Sequence, residues 1–135
     1  MAKYLAGIDV GTTGARCVIF DMQGNMVGTD YLEYGASYPK PGWVDQDGDA
    51  LIAQTMEACK AAIGKSGVDP KEIASVGFST QRSVTVPMDK DGKPVRPMIS
   101  WQDARTGVEV GDMTRLIDAQ EYYDTSGMPM GTTTT

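Results

Sequence analysis

The feature that most constrains this chain is a turn near its start, Asp9-Val10-Gly11-Thr12-Thr13-Gly14, set between two apolar runs. Residues 4–9 read as a short buried strand, and Arg16-Cys17-Val18-Ile19-Phe20 reads as a second. β-branched and aromatic residues suit a pleated, half-buried surface, while Gly and Thr between such runs mark a turn. A further turn, Asp21-Met22-Gln23-Gly24-Asn25, leads to a third strand of alternating character at residues 26–34. The chain is therefore expected to open with a three-strand antiparallel meander whose first hairpin ends in a carboxylate beside a Gly/Thr loop.

Such a loop has a chemical use. Glycines let backbone N–H groups approach phosphate oxygens, and the hydroxyls of Thr12 and Thr13 add donors. Asp9 can hold Mg²⁺ directly or through water. Arg16 adds a cation for a phosphoryl group. The same residues also make a plain hairpin turn with a solvated Asp9, and the local pattern leaves both readings open.

Beyond the meander, residues 35–46 are irregular and rich in Pro and Gly. A helix is expected over about 47–64, with Ile52, Met56, Cys59 and Ile63 along one face. Asp47 is its candidate N-cap, and Gly64 or Gly67 its end. Asp69-Pro70 can start one more turn. Strands follow at Ile73 to Ser79, Val84-Thr85-Val86 and 95–100, with an Asp-Gly turn signal at Asp91-Gly92 and Pro97 marking an edge or an irregularity. From Asp103 onward the pattern is helical, with Val108, Met113, Leu116 and Ile117 as apolar members and Gly111 as the expected break. This order is α/β with a mixed sheet.

Composition removes several chemistries. Histidine is absent, which excludes Ser-His-Asp and Cys-His catalysis and His-ligated metals within these residues. Twelve Lys and Arg against 18 Asp and Glu give a net charge of −6, a poor footing for nucleic-acid binding. Cys17 and Cys59 are too far apart in sequence for a thiolate metal motif and too few for a disulfide scaffold. Asp9 interrupts any signal-peptide core, and no apolar run approaches the ~18–20 residues of a membrane span. A soluble cytoplasmic protein is expected.

Two apparent motifs fail on spacing. Asp45-Gln46-Asp47-Gly48-Asp49 starts like a calcium loop, but its Gly comes too early and Met56 stands where the closing Glu belongs. Gly64-Lys65-Ser66 resembles the end of a P-loop, but Cys59 replaces the leading Gly and the segment ends a helix. Two other segments are candidates for substrate contact. Gln81 and Arg82 follow a strand end, a place that commonly lines a cleft. Trp101 can pack on the C–H face of a polyol while Gln102, Asp103 and Arg105 bond hydroxyls. A polar loop and a core Trp with Asp103 as a helix cap remain the alternatives.

In register, these segments resemble the FGGY carbohydrate kinases. The resemblance runs through Gly7-Ile8-Asp9-Val10-Gly11-Thr12-Thr13-Gly14-Ala15-Arg16, Pro41-Gly42-Trp43-Val44-Asp45-Gln46-Asp47 and Val76-Gly77-Phe78-Ser79-Thr80-Gln81-Arg82. It continues through Asp91-Gly92-Lys93-Pro94, Trp101-Gln102-Asp103-Ala104-Arg105-Thr106 and Ser126-Gly127-Met128-Pro129. It implies an actin-like (RNase H-like) fold of two domains, with residues 1–135 as part of the N-terminal one, and transfer of the γ-phosphoryl group of ATP to a terminal hydroxyl. Asp9 would sit near Mg²⁺ and the γ-phosphate; Gly11, Thr12, Thr13 and Arg16 would meet the phosphates. Gln81, Arg82, Trp101 and Asp103 would line the pocket for a small ketose or linear polyol.

The general-base Asp would lie beyond residue 135, so the chain alone is expected to be inactive. The resemblance leaves room for a homodimer of the full-length protein. Glycerol kinases favour Ser at the place of Gly14 and an acidic residue at Ser83, so Gly14 and the Trp101–Thr106 segment lean toward xylulokinases. Xylulokinases usually carry a Met-His pair near Gln81-Arg82, and this chain has no His. The rivals are a noncatalytic sugar- or nucleotide-binding module and an RNase H-like nuclease. The run Thr132–Thr135 reads as the start of a polar pocket loop cut short, and part of the sheet face is expected to be uncovered.

Overall fold

The computed structural model describes residues 3–133; Thr134 and Thr135 of the threonine run lie outside the described residues. The chain forms two compact units. The first takes the described residues up to Gly35 together with Asp47–Gln81, and the second takes Ala36–Gln46 and the residues from Arg82 onward.

The first unit is a four-stranded sheet carrying one helix. β1 (Tyr4–Val10) lies between β2 (Gly14–Asp21) and β5 (Ile73–Thr80), and β3 (Met26–Glu33) lies outside β2. β1–β2 and β2–β3 are antiparallel, whereas β1 and β5 run parallel. Alternation along the strands turns Ala6, Cys17 and Ile19 toward helix α1 (Gly48–Ser66), where they meet Ala62 and Val68 in the core.

Helix α1 begins where Asp47 accepts hydrogen bonds from the N–H groups of Asp49 and Ala50, at 2.9 and 3.0 Å. It ends at Gly67 in the left-handed conformation, whose N–H returns to the Ile63 carbonyl. The helix therefore runs slightly past the expected end, and Gly64-Lys65-Ser66 closes it, with Lys65 3.0 Å from Asp30. The expected apolar face holds at Cys59 and Ile63, which pack against the core, and is corrected at its first half. Ile52 and Met56 are exposed, while Ala58 and Ala62 are fully buried. The helix is pressed onto β3 by small residues: a Cβ on Gly28 would come 2.6 Å from the Ala62 carbonyl oxygen. Cys17 and Cys59, distant in sequence, meet in this core as free thiols. Burial foremost, and then the neighbouring Cys59, pushes the Cys17 thiol up to about 12.

The other side of the sheet is open, and even on the helix side β5 is uncovered, with Val76 and Phe78 exposed. A single 3-10 turn at Pro70–Glu72, capped by Asp69, leads into β5.

The second unit has little regular sheet. β4 (Asp45–Gln46) pairs antiparallel with β6 (Met98–Ile99). The strand expected at Val84–Val86 is reduced to one bridge between Thr85 and Ile99, and the strand expected at 95–100 shrinks to β6. Pro94 and Pro97 bring no N–H to a ladder, which limits pairing on either side. The Asp-Gly turn forms, with Gly92 at φ +75°. Gly111 does not break the first terminal helix; α2 spans Gly107–Leu116, and the break falls at extended Ile117 before Asp118 caps α3 (Ala119–Ser126). Val108 and Leu116 are exposed. Among the described residues no helix is long and apolar enough to cross a membrane.

Candidate active site

The first unit carries the phosphate-type residues. Asp9 stands near the end of β1, paired in register with Arg16 on β2 and with Ser79 on β5. Side chains alternate, so Gly7 and Asp9 share the face turned away from α1 with Arg16, Val18 and Phe20. These residues line a groove of about 320 Å³ with an apolar floor and one charged end.

The hairpin loop is closed by the Gly11 N–H donating to the Gly14 carbonyl at 3.0 Å. Its carbonyls are engaged by the residues that leave β3. The Tyr34 hydroxyl donates to the Gly11 carbonyl and lies 3.2 Å from the Gly14 carbonyl. The N–H groups of Tyr34 and Gly35 reach the Thr13 carbonyl at 3.2 and 3.4 Å. An anion approaching this loop therefore meets a segment whose carbonyl oxygens are already held, a condition for offering donors instead of lone pairs.

Tyr34 was not among the sequence candidates. No spacing rule ties a Tyr past the third strand to a loop more than twenty positions earlier. Burial foremost, then Tyr31 and Asp9, pushes its phenol up to about 12, so it stays protonated and donating. Gly14 is required sterically: a Cβ there would lie 2.5 Å from the Leu32 carbonyl oxygen and 2.7 Å from the Tyr31 ring. That same Tyr31 ring lies under the Arg16 guanidinium at 5.1 Å.

These residues fit Mg²⁺ of one kind. Gly11 sets no side chain beside the Asp9 carboxylate; a Cβ there would stand at an ordinary contact distance of 3.9 Å from Oδ2 and 3.3 Å from the Gly14 carbonyl oxygen. Among the described residues no three His, Cys, Asp or Glu side chains converge to hold a metal. A single carboxylate suits an ion that keeps its waters and takes its remaining ligands from a nucleotide's phosphates.

The second unit carries the polyol-type residues. A hollow of about 110 Å³ is lined by hydroxyls of Ser83, Thr85, Ser100 and Thr106 beside Trp101, which is 41% exposed. Thr132 and Thr133 also line it. The Thr133 hydroxyl donates to the Trp101 carbonyl at 3.2 Å, and Thr106 Oγ1 donates to the Thr132 carbonyl at 3.3 Å.

Asp103 lines this hollow too, but both its oxygens are committed to the protein. It accepts from the Val44 N–H at 2.6 Å and from the N–H, Nε and Nη2 of Arg105, each at 2.8 Å. Arg105 Nη2 also bonds Asp45, and the guanidinium stacks on Trp43 at 4.0 Å. Burial opposes ionisation of Asp103, yet the Arg105 and Val44 bonds outweigh it and hold the carboxyl at about 2. The helix cap considered for Asp103 is not formed: α2 begins after Thr106, which makes no side-chain cap bond.

Gln81 closes the first unit, its N–H donating to the Val10 carbonyl at 2.8 Å. Arg82 is exposed and opens the second unit, followed by Ser83 at φ +55°. A non-glycine residue held there stores strain of the kind that gathers at ligand sites. The structure thus gathers Asp9, Gly11, Thr12, Thr13 and Arg16 in one unit, and Trp101 and Asp103 in the other.

Residues 4–135 match the N-terminal domain of the FGGY family of carbohydrate kinases, and the chain belongs to that family. It is 39% identical over 133 residues to the glycerol kinase of Saccharopolyspora erythraea, covering 98% of this chain and 27% of that protein. The crystal structure of gluconate kinase from Lactobacillus acidophilus matches with a TM-score of 0.88 at 28% identity, over 98% of this chain and 26% of the other. The xylulose kinase from the same organism, solved with ligand, matches with the same TM-score and identity over 97% and 26%. The chain thus spans about a quarter of the length of the curated relatives it matches, 27% for the first of them.

Proposed function

We propose that this domain is the phosphate- and sugar-binding part of an actin-like kinase that transfers the γ-phosphoryl group of ATP to a terminal hydroxyl of a small ketose or linear polyol. The observation that carries this reading is the hairpin: a lone strand-end carboxylate, an Arg16 cation beside it in register, and a glycine loop with its carbonyls engaged. In the reaction the substrate oxygen bonds to the γ-phosphorus, the bond to the β–γ bridging oxygen breaks, and ADP leaves. The substrate proton passes to a general base, an Asp supplied by sequence outside these 135 residues.

Within this chain, Asp9 would hold Mg²⁺, which when bound neutralises phosphate charge. Gly11 lets the phosphates approach the loop, Thr12 and Thr13 donate to phosphate oxygens, and Arg16 offsets the remaining charge. Gln81 and Arg82 bond substrate hydroxyls, and Trp101 packs on the carbon face. Asp103 fixes the segment that carries Trp101. Positioning and charge neutralisation of this kind do most of the work of phosphoryl transfer. The setting is the cytoplasm. For the 135 residues alone, the reading is a sugar- or nucleotide-binding module without turnover, since none of their Asp residues matches the family's base.

The test is a screen of the whole kinase with ATP against glycerol, xylulose, gluconate and related polyols, reading sugar phosphate. One member of the panel is expected to be phosphorylated, and Asp9→Ala or Arg82→Ala to lower its turnover by about 10²–10³-fold. Near-normal turnover in either variant contradicts the assigned roles. Sugar phosphate made by the 135-residue chain alone contradicts the inactivity of the isolated module.

A further inference from the structure

In the hairpin loop the Gly11 N–H donates to the Gly14 carbonyl, and its two glycines are the residues with most backbone freedom to lose. The exit of β3 adds further bonds to it. Backbone N–H groups of Tyr34 and Gly35 hold the Thr13 carbonyl, a contact that needs no side chain. The Tyr34 hydroxyl is different, because only a side chain of this length with a donor at its tip reaches the Gly11 and Gly14 carbonyls.

We infer that Tyr34 is a positioning residue for phosphoryl transfer: its hydroxyl, bonded to the Gly11 carbonyl and set beside that of Gly14, fixes the shape in which the loop presents its donors to the phosphates of ATP. This rests on the proposed kinase reading. Tyr34 touches no reacting atom; it acts through the loop. Small misplacements of a phosphate cradle cost turnover, because the reaction is accelerated mainly by alignment. The hydroxyl is protonated throughout the working range of a kinase, so its effect does not titrate there.

Tyr34→Phe isolates the hydroxyl, since the ring and the backbone bonds to Thr13 remain. In the whole kinase, kcat/KM for ATP is expected to fall about tenfold, the worth of one well-made hydrogen bond. The KM for the sugar and the melting temperature should stay close to wild type, and the ratio of wild-type to variant rates should be constant between about pH 6 and 9. In the same protein, hydrogen exchange of the peptide spanning residues 9–16 should speed up about tenfold.

Unchanged ATP kinetics overturn the inference whatever the exchange shows. So does a variant that raises both KM values together and melts early, because Tyr34 would then be a general brace. A wild-type kinase inactive on the whole panel sinks the proposed function instead. In that event the exchange measurement decides whether Tyr34 fixes the loop, and unchanged exchange overturns it.

Discussion

In the first unit, a four-stranded sheet is held to one helix by Ile19, Cys17, Ala58 and Ala62, all buried and all apolar. In the second, two strands of two residues each leave most backbone without a ladder, and an ionic cluster ties its segments: Asp45, Arg105 and Asp103, closed on one side by Trp43. The first arrangement is intolerant of added volume, because close-packed faces have no spare space, and of charge, which finds no partner among apolar side chains. The second is built on paired charges. Its segments stay in place through fixed hydrogen-bond geometry, and a charge removed there leaves its partners stranded.

Breaking the ionic cluster should have the larger effect. Arg105→Ala leaves Asp103 without its cation and Asp45 with Arg96, 3.8 Å away, and a loss of about 3 kcal/mol, the lower end for a buried pair, is expected from chemical denaturation. A loss under about 1 kcal/mol would show that the cluster is ornamental. Gly28→Ala tests the apolar unit by adding a single methyl where Ser66 Cβ and the Ala62 carbonyl each stand 2.6 Å away. It should cost about 1–3 kcal/mol by lifting α1 from β3. Equal stability to wild type would mean the helix seat is softer than its contacts imply.

Acid sharpens the contrast further. Asp103 titrates at about 2 in the folded chain, below its ordinary 3.8, so it contributes stability that is complete above pH 4. That contribution is lost as pH falls from about 4 toward 2, and the melting temperature should drop across that window. In Asp103→Asn the drop should be smaller. An identical acid profile in the variant would remove Asp103 as its source.

The first unit was largely readable because its signals are local. Apolar runs mark strands at residues 4–9 and 16–20, which extend to 4–10 and 14–21 in the fold, and Asp47 caps a helix whose expected end at Gly64 or Gly67 falls at Gly67. The face of that helix was misread at Ile52 and Met56, because periodicity ranks residues by hydrophobicity while the seat on Gly28 selects small ones. The second unit was less readable. Asp45 and Arg105 are 60 positions apart, and nothing in either neighbourhood announces the other. Val84–Val86 has strand composition but only one bridged partner, since its surroundings contain Pro94 and Pro97. At the candidate site, Asp9, Gly11 and Arg16 were legible as residue types suited to phosphate. Tyr34 was not, because its role depends on where β3 ends in space.

The contact over Gly14 gives that position a second meaning. On the sequence, Gly or Ser there reads as a label for the sugar a kinase takes. In the folded chain the same site is a parking space already claimed by the ring of Tyr31. Exchanging Tyr31 alone does not clear it, because the Leu32 carbonyl oxygen stands 2.5 Å from the same Cβ, so a loop with a side chain at position 14 also needs the backbone of β3 to shift.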